Sequence, residues 1–241
     1  FGQDGPYAKR PGYDFIIQGM SGIMDLTGDP AGQPQKIGVA LADIITGLYG
    51  VIGIQAALAQ RERTGRGQQV DMALLDVMVG VLANQALNYL VSGRSPTRLG
   101  NAHPNLAAYE VLPTADGWFI LAVGNDNQFR RFCEVVGLAD EARFTTNEDR
   151  LAHREALTAL MSEATRRWDR DPLLAALEAA GVPAGPINSV AQAFADPQVI
   201  HRGMALTLDR EGAPPVPGIR TPIRFSDAEL VLDKASPRLG E

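Results

Sequence analysis

The sequence has very few of the residues that build disulfide frameworks and metal centres. Its 241 residues include one cysteine, Cys133, and three histidines. A single cysteine excludes an internal disulfide and a cysteine-rich metal site, and it is consistent with a reducing, cytoplasmic location. The histidines, at positions 103, 153 and 201, are too far apart in the chain for metal-ligand spacing. We therefore expect no metal.

Positive charge is also in short supply. The chain has 22 lysines and arginines against 28 aspartates and glutamates, so its formal net charge is -6. Without a positive field, we expect no binding to nucleic acid or to an anionic membrane surface. The hydrophobic content of 45% and the charged content of 21% suit a globular protein that acts on small molecules.

No hydrophobic run reaches membrane-spanning length without interruption. The longest, residues 39–59, contains Asp43, Gln55 and three glycines, so we expect no membrane span. No secretory signal is visible at the start of the sequence. The first residue, Phe1, lies in a segment that reads as a loop and is not an initiator methionine. We therefore expect this chain to be part of a longer polypeptide.

Asp43 is the most informative residue of the chain. It stands at the predicted start of an apolar helix that runs to about Arg63, where glycines and basic residues end it. The amide groups and positive dipole of a helix start favour an ionised carboxylate there, even where water is scarce. Two interpretations follow from the spacing: a structural helix cap, or a carboxylate nucleophile for covalent catalysis.

The same helix carries Gly47, Gly50 and Gly53 at a spacing of three. Each glycine lowers helix stability, so their recurrence predicts that another backbone approaches this face closely. After the helix, we predict a short strand over Gln68–Ala73 and a second apolar helix over Leu74–Leu90. Helix, strand and helix in this order are typical of an α/β fold.

The second half of the chain has a different character. Segments 109–114 and 118–123 are apolar and are separated by Asp116-Gly117, which predicts a β-hairpin. Five prolines between positions 214 and 237 predict an irregular tail with short strands. We accordingly divide the chain into residues 1–104, an α/β portion with Asp43, residues 105–204, a small α+β domain, and residues 205–241, a tail that returns to the large domain.

A series of short motifs resembles family III CoA-transferases, also called the CaiB/BaiF family. The resemblance extends over nearly the whole chain and rests on many motifs in the same order. They are Arg10-Pro11-Gly12-Tyr13-Asp14, Gln18, Gly22, Thr27-Gly28, Ala42-Asp43, Thr46-Gly47, Thr64-Gly65-Arg66-Gly67-Gln68, Val70-Asp71, Gly124-Asn125-Asp126, Gly181-Val182-Pro183-Ala184-Gly185-Pro186 and Arg220-Thr221-Pro222-Ile223.

The resemblance implies a fold and a reaction. The implied fold is α/β, with part of a Rossmann-like large domain and a small α+β domain. The complete protein is expected to form an interlocked homodimer. This chain resembles the portion that follows the N-terminal CoA-binding half. Asp43 matches the family nucleophile, which attacks an acyl-CoA thioester and passes through an anhydride and an aspartyl-CoA thioester. Burying this carboxylate would exclude hydrolysis. The partners implied are acyl-CoA, a carboxylic acid and a second subunit; CoA is a substrate, and no cofactor is bound permanently.

The loop before the first helix matches positions that line the CoA channel in this family. The predicted CoA-binding residues are Arg10, Pro11, Gly12, Tyr13 and Asp14. The related α-methylacyl-CoA racemases have a histidine, used as an acid-base group, at the position of Tyr13. A tyrosine hydroxyl is a poor proton acceptor at neutral pH, so Tyr13 disfavours the racemase alternative.

The predicted substrate residues are Gly124, Asn125, Asp126 and His103. Residues 124–127 match a loop that is glycine-rich in formyl-CoA transferase and closes over its active site. Here Asn and Asp stand in a loop that is not glycine-rich, which argues against formyl-CoA and oxalate as substrates and indicates a loop fixed by side-chain hydrogen bonds. As donor for the family reaction we expect succinyl-CoA or another dicarboxylyl-CoA. A plain helix cap is the alternative for this loop. For the whole chain, a racemase-like enzyme and an inactive structural or dimerisation fragment stay open as alternatives.

Overall fold

The computed structural model describes residues 1–139, 141–210, 212–233, 235–237 and 239–240. The chain groups into two compact units, residues 1–184 and residues 185–241. Compactness alone does not test the predicted boundaries at 104 and 204, which stay a prediction. The fold is a mixture of α-helices and small β-sheets, as the predicted α/β class requires.

Five helices form the N-terminal part of the first unit. They are α1 (Asp14–Met20), α2 (Ile23–Leu26), α3 (Leu41–Thr64), α4 (Leu74–Gly80) and α5 (Ala83–Ser92). Gly22, at φ +93°, separates α1 from α2 in a conformation that glycine adopts without strain. A small core of Ile17, Ala42 and Met78 joins α1, α3 and α4. This core fixes the start of α3 against α1.

The helix α3 is long and almost unburied within this chain. Of its 24 residues, only Ala42 is buried. Large apolar side chains lie exposed along the helix, such as Ile52, which is 62% exposed. By length and composition it could cross a membrane, contrary to the sequence expectation, although the core helix of a soluble protein also passes this test. The predicted absence of a membrane partner stays a prediction.

Two predicted elements of this region are wrong. Residues 68–73, expected to form a strand, have no regular secondary structure. The apolar helix predicted over Leu74–Leu90 is divided into α4 and α5, which are bent by 74° at Val81–Leu82. A strand requires a neighbouring strand for its backbone hydrogen bonds, and among the described residues none lies beside residues 68–73.

The predicted hairpin is confirmed. Strands β1 (Tyr109–Pro113) and β2 (Trp118–Ala122) pair antiparallel, with Tyr109 opposite Ala122 and Pro113 opposite Trp118. The Thr114 hydroxyl donates to the Asp116 carboxylate at 2.9 Å, which stabilises the turn. A short strand β3 (Ala184–Pro186) extends the sheet in the order β1-β2-β3, and the Ala122 amide donates to Pro183 O just before it.

Four helices and a 3₁₀ turn cover this sheet. They are α6 (Asp126–Val136), the 3₁₀ turn Ala142–Phe144, α7 (Asn147–Ala152), α8 (Arg154–Thr165) and α9 (Arg170–Ala179). Their apolar faces and the buried side of the hairpin form the main core, which includes Leu112, Phe119, Phe132, Met161 and Leu173. The larger apolar core therefore lies in the second half of the first unit, away from Asp43.

The second unit contains α10 (Val190–Ala195), α11 (Pro197–His201), β4 (Ala205–Arg210) and β5 (Ala213–Ile219). Ser189 and Gln192 form a capping box at the start of α10, and Asp196 caps α11 ahead of Pro197. Strands β4 and β5 pair antiparallel, and the described residues after Ile219 are irregular. The predicted irregular tail with short strands is confirmed.

Candidate active site

Asp43 lies in the first turn of α3 but does not cap it. The N-cap position is Ala40, so Asp43 is the third helical residue. Among the described residues, its carboxylate makes no hydrogen bond or ion pair, and the residue is exposed. The structural-cap interpretation is therefore wrong, and the expected burial of Asp43 is not provided by this chain. The dipole of a 24-residue helix favours an anion at this place.

The carboxylate of Asp14 takes the capping role instead. Asp14 Oδ1 accepts the Ala42 amide at 2.8 Å, one residue before Asp43. Asp14 Oδ2 accepts a hydrogen bond from Gln18 Nε2, also at 2.8 Å. An acidic side chain at the free amides of a helix start stabilises it by satisfying an orphan donor and by interacting with the dipole. The structure thus brings Asp14, a predicted CoA-binding residue, beside the predicted nucleophile.

The other predicted CoA-binding residues form the exposed loop before α1. The Arg10 guanidinium lies 3.9 Å from the centroid of the Tyr7 ring. Gly12 lies near the Phe1 ring, which a Cβ at this position would approach to 3.6 Å. Tyr13 is 73% exposed and has the extended backbone that precedes α1, and Pro11 is exposed as well. Their roles in CoA binding stay a prediction.

A partly buried arginine fixes the loop that leads from α2 toward α3. Arg98 Nη1 donates to the carbonyl and carboxylate oxygens of Asp25, at 3.1 and 3.0 Å. Its other nitrogens donate to the carbonyl oxygens of Asp29 and Gly32, both at 3.3 Å. The Arg98 side chain is 17% exposed, so these contacts are partly shielded from water. One side chain therefore holds several turns of a glycine- and proline-rich segment.

The predicted substrate loop, residues 124–127, forms the start of α6. Asn125 is the N-cap, and its side chain accepts the Gln128 amide at 3.0 Å. The Gly124 amide donates to Gln128 Oε1 at 2.8 Å. Asp126 is the first helical residue and pairs with Arg150. The helix-cap alternative is correct for Asn125, while contact of this loop with substrate stays a prediction.

The buried side chain of Arg150 holds this loop through Asp126. This side chain is 1% exposed and donates to the carbonyl oxygens of Ala107, Phe144 and Thr145 and, at 2.7 Å, to Asp126 Oδ1. Its guanidinium also lies 4.5 Å from the centroid of the Phe129 ring. A guanidinium has five donors in a fixed plane, so it can join several loops at once. Sequence reasoning missed this residue because nothing near it in sequence indicates burial.

His103 lies in the loop before β1. Its Nδ1 accepts the Asn105 amide at 3.0 Å, and its ring packs against Tyr109 with centroids 5.2 Å apart. Its carbonyl oxygen accepts a hydrogen bond from Arg154 Nη2 at 2.7 Å. These contacts fix the loop, and the predicted role of His103 in substrate binding stays a prediction.

One carboxyl group of this region is buried. Glu110 is 8% exposed and accepts hydrogen bonds from the Thr158 hydroxyl at 2.9 and 3.0 Å. Burial raises the pKa of Glu110, against the opposing effects of the Thr158 hydrogen bond and the nearby charge of Arg154. Glu110 faces the interior between β1 and α8, so its protonation affects the stability of the packing between these two elements.

The predicted site residues therefore form two groups. Asp14 joins residues 10–14 to the start of α3 through the Ala42 amide, next to Asp43, while Asp126 joins residues 124–126 to Arg150; among the described residues, no hydrogen bond or ion pair joins the two groups. His103 is linked to Arg154 instead. Gln18 stands in one of the family motifs, but the motif does not indicate its central position; the signal in the sequence is its spacing of four residues from Asp14 on a helix. No cluster of three metal-ligand side chains is present in the described part of the chain. The expectation of no metal stays a prediction.

Comparisons with known proteins agree on one family. The family model for CoA-transferase family III matches residues 1–241. The succinate–glutarate CoA-transferase of Agrobacterium fabrum is 56% identical over 244 residues, which cover 100% of this chain and 61% of that protein. The acetyl-CoA:oxalate CoA-transferase of Acetobacter aceti is 38% identical, with coverage of 100% and 62%. This chain thus spans about three fifths of the length of these relatives.

A solved structure gives the same result for the fold. The crystal structure of a CaiB/BaiF family protein from Brucella suis superposes with a TM-score of 0.83 at 61% identity. The superposition covers 99% of this chain and 62% of the other.

Proposed function

Because the chain belongs to CoA-transferase family III, we propose that it carries the nucleophile of an enzyme that exchanges CoA between an acyl-CoA thioester and a carboxylic acid. The observation that carries this proposal is the place of Asp43. Its carboxylate stands at the start of a long helix, and the neighbouring amide is held by Asp14. Because Asp14 performs the capping, the Asp43 carboxylate is not committed to a structural hydrogen bond. This suits nucleophilic attack on a carbonyl group.

The proposed reaction conserves the energy of the thioester. An Asp43 oxygen attacks the donor thioester carbonyl, the C–S bond breaks, and CoA leaves as the thiolate while a mixed anhydride forms. The thiolate attacks the aspartyl carbonyl, which releases the donor acid and leaves an aspartyl-CoA thioester. The acceptor carboxylate attacks this thioester and again frees the thiolate. Attack of the thiolate on the acceptor's carbonyl in the second anhydride gives the new acyl-CoA and regenerates Asp43.

Water must be excluded while these intermediates exist, because an anhydride hydrolyses readily. Asp43 is exposed within this chain, so the covering surface has to come from the rest of the polypeptide, a second subunit or the bound CoA. Asp14 binds the amide of Ala42 at the helix start, and we propose that the CoA arm runs along residues 10–14. Arg10, Pro11, Gly12, Tyr13 and Asp14 are accordingly the proposed CoA-binding residues.

For the substrates, we propose succinyl-CoA as donor and a short dicarboxylic acid, such as glutarate, as acceptor. The 56% identity to a succinate–glutarate CoA-transferase supports this choice over the oxalate enzyme, which is 38% identical. Residues 124–126 and His103 are the proposed acceptor-binding residues. The arrangement around Arg150 supports a rigid loop here, since Asn125 and Asp126 are both fixed by hydrogen bonds.

We further propose that the complete protein is an interlocked homodimer in the cytoplasm. The exposed apolar surface of α3 supports coverage by protein, since large apolar patches on soluble proteins mark interaction surfaces. Gly47 and Gly50 support a close approach on this helix, because a Cβ at either position would meet no atom of this chain within 4 Å. The single cysteine is consistent with a reducing compartment.

The test uses the complete gene product, succinyl-CoA and glutarate, with glutaryl-CoA measured by mass spectrometry. We expect CoA transfer in the wild type and loss of about 10³-fold or more in Asp43→Asn, because the amide is no nucleophile. Hydroxylamine should convert Asp43 of the wild type to a hydroxamate only after succinyl-CoA is added. Glu62→Gln, which removes an exposed carboxylate at the far end of α3, should behave as the wild type.

Transfer at the wild-type rate in Asp43→Asn would contradict the proposal. Deuterium exchange at the α-carbon of a branched acyl-CoA, without any acceptor acid, would instead identify a racemase. No activity in the complete protein together with a normal fold would favour a structural role.

A further inference from the structure

Gln18 is the most completely hydrogen-bonded buried side chain near Asp43. It is 0% exposed, in the second turn of α1. Its Nε2 donates to Asp14 Oδ2 at 2.8 Å and to Val39 O at 3.3 Å. Its Oε1 accepts the Ile37 amide at 2.9 Å. One amide group thus joins α1 to the chain segment that enters α3.

We propose that Gln18 is a positioning residue that fixes the start of α3, and with it the Asp43 carboxylate, for attack on the thioester. This inference rests on the proposed function, because it assumes that Asp43 is the nucleophile. Gln18 itself does not touch Asp43; it acts through Asp14 and through the backbone at Ile37 and Val39.

The helix start is held from both sides by this arrangement. On one side, Gln18 binds the backbone at Ile37 and Val39, directly before the N-cap Ala40. On the other side, Asp14 binds the Ala42 amide, and Gln18 restrains the second oxygen of Asp14. Asp43 follows at once. The backbone of Asp43 is therefore fixed by the contacts to Ile37 and Val39, ahead of the N-cap, and by the contact to Ala42, the residue immediately before Asp43.

The chemistry of this position requires an amide. A carbonyl and a carboxylate oxygen need donors, while the Ile37 amide needs an acceptor, and glutamine supplies both from one group. Glutamate retains the acceptor but loses both donors, and it would place a second carboxylate against Asp14. Methionine has a similar shape and offers neither. Buried groups that lose their partners destabilise the local structure.

Precise placement matters for a carboxylate nucleophile. Attack requires the carboxylate oxygen about 3 Å from the thioester carbon and correctly aligned, and a displacement of about 1 Å can cost about 10²-fold in rate. An exposed side chain on a helix start that could shift would lose this alignment. Loss of Gln18 should therefore lower kcat more than it raises KM for succinyl-CoA.

The experiment compares Gln18→Glu, Gln18→Met and the control Gln33→Glu in the complete gene product. Gln33 is an exposed glutamine of the loop before α3, so its variant adds the same charge without touching the helix start. For each protein, kcat and KM for succinyl-CoA are measured from pH 6 to pH 9. The rates are normalised to folded protein, which is determined from the thermal unfolding curve at each pH.

We expect Gln18→Glu to lower kcat by about 10- to 100-fold at pH 8, with KM changed by less than about threefold. This loss should shrink as the pH falls, because two adjacent carboxylates share a proton, which restores one donor between them. Gln18→Met should lose kcat without this pH dependence. Gln33→Glu should match the wild type.

The outcomes separate this inference from the proposed function. If the wild type shows no transfer that depends on Asp43, the proposed function fails and the inference fails with it. If Asp43-dependent transfer is present and Gln18→Glu keeps the wild-type kcat at pH 8, only the inference is overturned. A lower unfolding temperature with unchanged kcat per folded molecule also overturns it, because it indicates a purely structural side chain. Gln18→Glu retains the Ile37 acceptor, so it decides the question even if Gln18→Met does not fold.

Discussion

The Asp14 carboxylate accepts the Ala42 amide at 2.8 Å and so caps the helix that begins two residues before Asp43. Capping and nucleophilic attack make opposite demands on a carboxylate. A cap must stay hydrogen-bonded to the backbone, whereas a nucleophile must leave its lone pairs available to the substrate. With Asp43 as the proposed nucleophile, these demands fall on two different aspartates. This division would let a helix start carry a reactive acid without losing its own stabilisation.

Replacement of Asp14 tests this division. In Asp14→Ala, the Ala42 amide and Gln18 Nε2 both lose their acceptor, so we expect a loss of about 1–2 kcal/mol in the free energy of unfolding. Asp14→Asn keeps one oxygen as the acceptor for the Ala42 amide, but its NH₂ group faces the NH₂ group of Gln18. We expect this variant to lose about half as much free energy of unfolding as Asp14→Ala. Urea unfolding of the complete gene product measures both values.

Asp4→Asn is the control, because Asp4 lies exposed in the N-terminal loop. Its free energy of unfolding should equal that of the wild type. Equal stability of Asp14→Ala and the wild type would show that the helix start does not depend on this carboxylate.

Arg150 and Asp126 should contribute very unequally to stability, although they form one ion pair. Arg150→Met leaves the carbonyl oxygens of Ala107, Phe144 and Thr145 without this donor, and we expect a loss of about 3–5 kcal/mol. Asp126 is 51% exposed, and Asp126→Asn keeps an oxygen that accepts from Arg150 Nη2, so this variant should lose less than about 1 kcal/mol. Urea unfolding of the two single variants and the double variant measures the coupling between them.

In this double-mutant cycle, we expect a small coupling energy relative to the loss from Arg150→Met alone. A coupling energy as large as that loss would mean that the ion pair, and not the carbonyl contacts, makes Arg150 important.

The hairpin and the position of Asp43 could be predicted because their signals are local. Asp116-Gly117 between two apolar segments fixes a turn, and the change from loop to apolar helix fixes the start of α3 to within about two residues. The roles of Asp14, Gln18 and Arg150 depend on contacts with residues far away in sequence, which periodicity does not encode. The strand predicted at residues 68–73 failed for a related reason, since a strand exists only beside a partner.

The buried Glu110 should make the stability of the fold around β1 and α8 depend on pH. Burial raises the pKa of Glu110 above its ordinary value of 4.5, so the folded state binds a proton more tightly than the unfolded state. The contribution of Glu110 to the free energy of unfolding is therefore most favourable below about pH 4.5, and it is progressively lost as the pH rises through the raised pKa of the folded state. Glu110→Gln removes this titration while it retains an oxygen for the Thr158 hydroxyl.

We expect Glu110→Gln to be more stable, relative to the wild type, at pH 7 than at pH 4, with the difference measured by urea unfolding at each pH. The gain in the free energy of unfolding is limited by Arg154. Its positive charge opposes the rise in the pKa of Glu110, and in the variant this charge no longer has the Glu110 carboxylate as a partner. Glu155→Gln, an exposed carboxyl on α8, is the matched control and should show no such trend. A difference that stays constant between pH 4 and pH 7 would contradict titration of Glu110 in this range.

Gly47 tests whether the exposed surface of α3 is covered in the complete protein. A Cβ at Gly47 would meet no atom of this chain within 4 Å. If water surrounded the helix there, Gly47→Ala would raise the free energy of unfolding by up to about 1 kcal/mol, since alanine has the higher helix propensity. If a second subunit packs closely on this face, the added methyl group clashes and the dimer is weakened.

We expect the second result in the complete gene product. Gly47→Ala should have a lower unfolding temperature than the wild type, and in analytical ultracentrifugation its dimer should have a higher dissociation constant. Ala59→Gly, an exposed position on the same helix, reports the effect of helix propensity alone and should leave the dimer intact. An unfolding temperature that rises in Gly47→Ala, with unchanged dimerisation, would mean that no backbone approaches α3 at this glycine.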